Sequence, residues 1–187
     1  MRDAVLIRAY LERGDERAFA ELLERYGARV YSFLRWRAGT EELARDLFQE
    51  TFLRVLEALP RTYRHEERFL AWVMRIAYRV WLDHLRRTPP TEPLPEEEDL
   101  EVAPENDLAS EEPDPLEALE AREQEALLRG WIASLPEPQK EVVLLRLYGG
   151  LSFRQIAELL QIPLNTALGR MHYAINKLRK QVQHYVS

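Results

Sequence analysis

Apolar residues recur along this chain at intervals of three and four, the period of amphipathic helices, and no stretch shows the alternation of a half-buried strand. The spacing predicts helices over about residues 3–13, 15–37, 41–58 and 66–86, the second opened by Asp15 and the third by Thr40, with acids in the first turn. In the third, Ala44, Phe48, Phe52, Val55 and Leu59 fall within an arc of about 80° at about 100° per residue, which makes one core stripe. Glu42, Asp46, Gln49 and Glu57 lie opposite, and Leu53 is stranded among them on the wet side. The fourth helix keeps Phe69, Val73, Ile76 and Val80 at core spacing.

Helical periodicity stops after this block and resumes over about 116–133, 137–148, 152–161 and 165–182. Pro136 and Pro138 sit at the start of the second of these helices, where a missing N–H costs nothing; Gly149-Gly150 ends it, and Ser152 caps the next. From Ser152 to Thr166 the pattern is two helices joined by a tight turn, with Ala157 small at the crossing and Ile162 apolar in the turn, the spacing of a helix-turn-helix. On the last helix Ala167, Leu168, Met171, Ala174, Ile175 and Leu178 share a face of about 120° and are expected in the core. Thr166, Gly169, Arg170, Tyr173, Lys177 and Lys180 share the other face.

The gap between the two blocks differs in composition. Residues 88–115 hold 11 acids, no Lys or Arg, and 7 of the chain's 11 prolines. A segment so acidic and so poor in large apolar residues cannot offset its own ordering entropy, so an extended, fairly stiff linker is expected. The fold class is therefore all-α: two helical bundles, 1–87 and 116–187, joined by an acidic proline-rich linker at 88–115, the second bundle containing the helix-turn-helix.

Charge and composition narrow the chemistry. The 187 residues carry a formal net charge of −6, which argues against a nucleic-acid partner until the linker is set aside; the rest holds 26 basic and 21 acidic residues, and no acid follows Glu158. With no cysteine, disulfides, zinc ribbons, iron–sulfur clusters and a thiol nucleophile are excluded. His65, His84, His172 and His184 form no i,i+4 pair and there is no glycine-rich phosphate loop, so neither catalysis, a metal nor a cofactor is expected. The first residues mix charge into an opening turn and no apolar run approaches the roughly 18 residues of a membrane span, so a cytoplasmic protein without membrane insertion is expected.

Two surfaces stand out. Leu53, ringed by Asp46 and Gln49, has the form of a partner-docking patch. On the fourth helix, Arg75, Arg79 and Arg86 make a stripe about 40° wide, with Tyr63 and His65 in the preceding loop, Trp72 at its flank and Tyr78 and Trp81 further round. Cations beside stacking rings suit single-stranded nucleic acid, although Trp72 and Trp81 are the first candidates for packing instead. In the second bundle, Asn165, Thr166, Gly169 and Arg170 at the start of a recognition helix would reach base edges in the major groove, with Lys177, Arg179 and Lys180 set back for phosphates.

These residues fall in two stretches that together resemble the extracytoplasmic-function group of bacterial RNA polymerase sigma factors. Asp46-Leu47-Phe48-Gln49-Glu50-Thr51-Phe52-Leu53-Arg54-Val55, with Phe69 to Arg79 and Asp83-His84-Leu85-Arg86-Arg87, resembles the family's region 2; Leu135-Pro136 through Leu178-Arg179 resembles region 4. The resemblance implies a non-enzymatic subunit that binds core RNA polymerase and promoter DNA, and many relatives also have an anti-sigma factor. It implies that Asp46, Gln49, Glu50 and Leu53 meet the coiled coil of the largest polymerase subunit. Tyr63, His65, Trp72, Arg75, Arg79 and Arg86 would serve the minus-ten element, and Arg154, Asn165, Thr166, Gly169, Arg170, Tyr173 and Lys177 the minus-thirty-five element. The family's more usual Asn is Val80 here, and Gln161 and Asn165 replace glycines common in the turn, where Asn165 would cap the last helix and Gln161 would be strained at a positive φ. A plain helix-turn-helix regulator is the rival reading; it would bind duplex without polymerase.

Overall fold

The computed structural model describes residues 2–63, 68–88, 124 and 126–186. The linker expectation falls on residues outside that set, apart from Thr88, as does His65. Every regular element among the described residues is a helix, and they form two compact units, one built from α1–α4 and one from α5–α8. None of these helices is long and apolar enough to cross a membrane.

In the first unit, α1 (Asp3–Arg13) turns into α2 (Glu16–Ala38) through Gly14, whose φ of 63° is the left-handed value glycine adopts freely. Asp15 caps α2 by accepting from the N–H groups of Arg17 and Ala18, and Thr40 caps α3 (Glu41–Thr62) by accepting from Leu43. At the other end of the α1–α2 pair, Asp3 accepts from the Tyr26 hydroxyl at 2.6 Å and from Arg25 at 2.7 Å. Burial, reinforced by the bond to Asp3, pushes the Tyr26 hydroxyl above its ordinary pKa. Helix α2 packs on α1, α3 and α4 (Phe69–Arg87), so the core runs through Leu22, Val30, Phe33, Leu34, Val55, Leu59, Val73 and Met74.

The α3 stripe is as the periodicity requires, with Ala44, Phe52, Val55 and Leu59 buried. Phe48 is half-buried at its edge, its ring against Phe52 at 4.8 Å and Tyr31 at 5.7 Å. The helix runs past its expected end at residue 58 and carries Pro60 inside it. One turn from a helix end, proline forfeits a single backbone bond while its fixed φ remains helical, and the Thr62 hydroxyl donates to the Ala58 carbonyl at 3.1 Å. On α4, Ile76 is only half-buried, whereas Met74 and Ala77 are fully buried.

The second unit begins with a helix over 126–133, here α5, followed by α6 (Glu137–Leu147), α7 (Phe153–Leu160) and α8 (Leu164–Val186). Gln139 and Lys140 donate to the Pro136 carbonyl, so the proline stands just ahead of α6 where it breaks nothing. Ser152 and Gln155 cap α7 reciprocally, at 3.2 and 2.8 Å. Gln161 ends α7 at φ 54°, the left-handed value that the sequence made a condition for strain; its N–H reaches the carbonyls of Ala157 and Glu158. Helix α8 starts at Leu164, so Asn165 lies in its first turn and does not cap it.

Helix α8 meets α6 and α7 along a seam narrower than its apolar face. Ala167 and Ala174 are fully buried, Met171 and Leu178 half-buried, and Leu168 and Ile175, expected in the core, are each 41% exposed. The reason is angular. The two alanines sit within about 20° of each other on the helix, and Leu168 and Ile175 lie about 80–100° away, beyond what two neighbouring helices cover.

Candidate nucleic-acid and polymerase interface

On α3 the residues at positions 46, 49 and 53 project over about 60° of arc. Asp46 and Gln49 are exposed and Leu53 is 62% exposed, so an apolar side chain stands in water between two polar ones. Leaving a leucine there costs the free chain its burial energy, roughly 1.5–3 kcal/mol had the side chain been covered. Glu50, which the sequence grouped with these three, does not share their setting. It is half-buried, and its Oε1 accepts from Arg54 at 2.6 Å and from Arg87 at 3.2 Å. Glu50 therefore joins α3 to α4.

The same junction continues through Asp83. Arg54 donates its other guanidinium nitrogen to Asp83 at 2.7 Å, and Arg86 lies 3.6 Å from the second carboxylate oxygen. The hydrogen bond from Arg54, helped by the positive charge of Arg54, Arg86 and Arg87, holds the Asp83 carboxyl below its usual range. The bond to Asp83 likewise raises the pKa of Arg54, with Glu50 adding to it. Sequence reasoning overlooked Arg54; the i,i+4 spacing of Glu50 to Arg54 was a visible signal, but its reach across to α4 was not.

Along α4, Arg79 and Arg86 are exposed and Arg75 is half-buried. Trp72 is a packing residue, only 6% exposed, with its ring 6.0 Å from Phe69 and 5.3 Å from Tyr63. Of the two roles the sequence left to Trp72, packing is the one its burial fits: it backs the half-buried Tyr63, which stands edge-on to both Phe69 and Trp72. Tyr78 and Val80 are buried, and Trp81 is half-buried and stacked on His84.

In the second unit, Arg154 is exposed on α7, and Asn165 and Thr166 are exposed on the first turn of α8. Next on the same face come Gly169, half-buried Arg170, and Tyr173 at 66% exposure. A Cβ built on Gly169 would meet nothing within 4 Å, so no contact inside the protein demands glycine there. Lys177, expected at a phosphate, is engaged within the unit: its ammonium donates to the Ser134 carbonyl at 2.6 Å, and Gln181 one turn on donates to the Ser134 hydroxyl at 2.8 Å. The two side chains pin α8 to the turn between α5 and α6.

Among the described residues no group of three or more His, Asp or Glu is placed to hold a metal ion. What the surfaces offer is recognition: an apolar point between polar groups on α3, a row of guanidinium groups on α4, and the exposed first turns of α8 in a helix-turn-helix.

Two family models match the chain, sigma-70 region 2 over residues 22–89 and sigma-70 region 4 over residues 131–180. Among similar proteins, the ECF RNA polymerase sigma factor RpoE of Cereibacter sphaeroides is 29% identical over 177 residues, covering 95% of this chain and 93% of that protein. The RNA polymerase sigma-H factor of Pseudomonas aeruginosa is 30% identical over 176 residues, covering 92% and 90%. Of solved structures, CnrH in complex with the cytosolic domain of CnrY is similar with a TM-score of 0.65 at 22% identity, covering 97% of each chain. The sigma factor RpoE from Bartonella quintana, in complex with the anti-sigma factor NepR, gives 0.64 at 16% identity, covering 88% of this chain and 96% of that one.

Proposed function

The chain belongs to the sigma-70 family of RNA polymerase sigma factors, in its extracytoplasmic-function branch, and is a promoter-recognition factor for transcription initiation; from that premise we propose which of its surfaces performs which task. The first bundle, 1–87, docks on core polymerase through Asp46, Gln49 and Leu53 of α3, with Glu50 holding that helix to α4. Tyr63, His65, Arg75, Arg79 and Arg86 serve the minus-ten element, and Trp72 supports Tyr63 from behind. The second bundle, 116–187, reads the minus-thirty-five element with Arg154, Asn165, Thr166, Gly169, Arg170 and Tyr173. The acidic stretch 88–115 is the tether between them.

The protein carries out no bond chemistry of its own and acts in the cytoplasm, where its polymerase works. Opening the duplex then needs no hydrolysis, because unstacking costs a few kcal/mol and ring and phosphate contacts offset it. An anti-sigma partner completes the proposal, by analogy with the NepR complex.

The observation that carries this reading is Leu53, 62% exposed on an otherwise polar helix face. A regulator that only bound duplex DNA would have no use for it. The test is run-off transcription with core polymerase over a promoter library. Wild-type chain is expected to direct new start sites, and Leu53→Ser to lower core affinity about tenfold, roughly 1.4 kcal/mol, with helical content unchanged. If the polymerase's choice of start sites is the same with and without the chain, the reading is wrong.

A further inference from the structure

We propose that Arg54 is a positioning residue for promoter contact: by gripping Asp83 it fixes the last turn of α4, and with it Arg86, relative to the docking helix α3. The inference rests on the assignment of α3 to polymerase and α4 to the minus-ten element made above. Arg54 follows Leu53 directly, so its side chain leaves α3 about 100° round from the docking face and crosses to α4. One nitrogen donates to Asp83 Oδ2 at 2.7 Å and the other to Glu50 Oε1 at 2.6 Å. Arg87 closes the junction by donating to the same Glu50 oxygen at 3.2 Å and through Nε to the Asp83 backbone carbonyl at 3.3 Å.

The members of this network face different ways. Arg54, Glu50 and Asp83 each have about a third of their side chains exposed, whereas Arg86 is 77% exposed and, among the described residues, is held by the 3.6 Å contact to Asp83 Oδ1. A lone exposed ion pair contributes little, but a guanidinium that bridges two carboxylates on two helices has a fixed geometry, which a flexible ammonium would not give. Arg86 is thus the most exposed cation of the junction; Arg54 is the strut beneath it, and Arg87, itself 61% exposed, braces Glu50. The carboxylate shared by Arg54 and Arg86 links a helix set by polymerase to a cation facing DNA.

The experiment uses holoenzyme reconstituted from core polymerase and the full chain, on duplex fragments that wild-type holoenzyme selects from a random library. For Arg54→Gln, core affinity is expected to stay within twofold of wild type while promoter affinity falls about tenfold. The slope of log affinity against log salt should drop by about one, the increment of one lost phosphate contact. Arg86→Gln should produce the same slope change, and combining the two should cost less than twofold beyond Arg86→Gln alone. Arg54→Lys, which keeps the charge and one link, should recover part of the affinity and covers the case in which Arg54→Gln loses helical content. An unchanged slope, full additivity with Arg86→Gln, or a parallel fall in core affinity each overturns the positioning role. A wild-type holoenzyme that selects no fragment overturns the underlying assignment, before any variant is made.

Discussion

Lys177 of α8 and Ser134, 43 residues earlier in the turn ahead of α6, are joined by an ammonium-to-carbonyl hydrogen bond of 2.6 Å. A basic residue of the last helix thus works inside its own unit. Lys177→Met is expected to lower stability to urea by about 1 kcal/mol, the ordinary net value of one such bond. The salt dependence of promoter binding by holoenzyme should be unmoved; a slope reduced by one would instead mark Lys177 as a phosphate contact.

Gln161 occupies the left-handed region at φ 54°, ψ 44° at the end of α7, where a side chain crowds the backbone. Gln161→Gly is expected to stabilise the second unit by roughly 1 kcal/mol, the smaller end of the strain a non-glycine residue carries there. Thermal unfolding of the full chain measures it, and a lowered midpoint would show that the Gln161 side chain contributes more than the strain costs.

Gly169 has open space around its Cβ position on the exposed side of a helix. Replacing it with alanine should raise stability by about 0.5–1 kcal/mol through helix propensity alone. If duplex DNA approaches that point closely, the same methyl group weakens minus-thirty-five binding while the fold gains. Tighter binding together with higher stability would show that the glycine is not there for DNA.

Asp83 gives a pH dependence with a definite sign. Its folded pKa lies below the ordinary carboxylate value, chiefly because Arg54 donates to it. The folded state therefore binds the proton less readily than the unfolded chain, and stability is fully present above the unfolded pKa of about 3.9 and lost as pH falls through the lower folded value. Urea unfolding at pH 7 and at pH 3 should show a larger acid loss for wild type than for Asp83→Asn. Equal losses would mean that this carboxylate is not linked to folding.

Much of the fold is written in local signals. Asp15, Thr40 and Ser152 announce helix starts because a short polar side chain meets the free N–H groups one turn on, and all three do so. The α3 stripe and the isolated Leu53 follow from period alone. The features that local pattern leaves open depend on distant partners. An aromatic beside an arginine has the same spacing whether it packs, as Trp72 does, or faces a ligand. Lys177 is a basic residue on a basic helix until Ser134 is brought beneath it. The apolar width of α8 overstates its core because sequence shows how much of a face is greasy and not how many neighbours cover it, which leaves Leu168 and Ile175 at the margin.

Helix α7 runs for only eight residues, Phe153–Leu160, between the Ser152–Gln155 box and Gln161. In water a free segment of that size would melt, since helices below about 12–15 residues rarely persist unaided. The front half of the helix-turn-helix therefore exists only while α6 and α8 hold it. Warming should accordingly switch off minus-thirty-five reading abruptly, over the same narrow interval in which the unit itself comes apart, and not by gradual weakening.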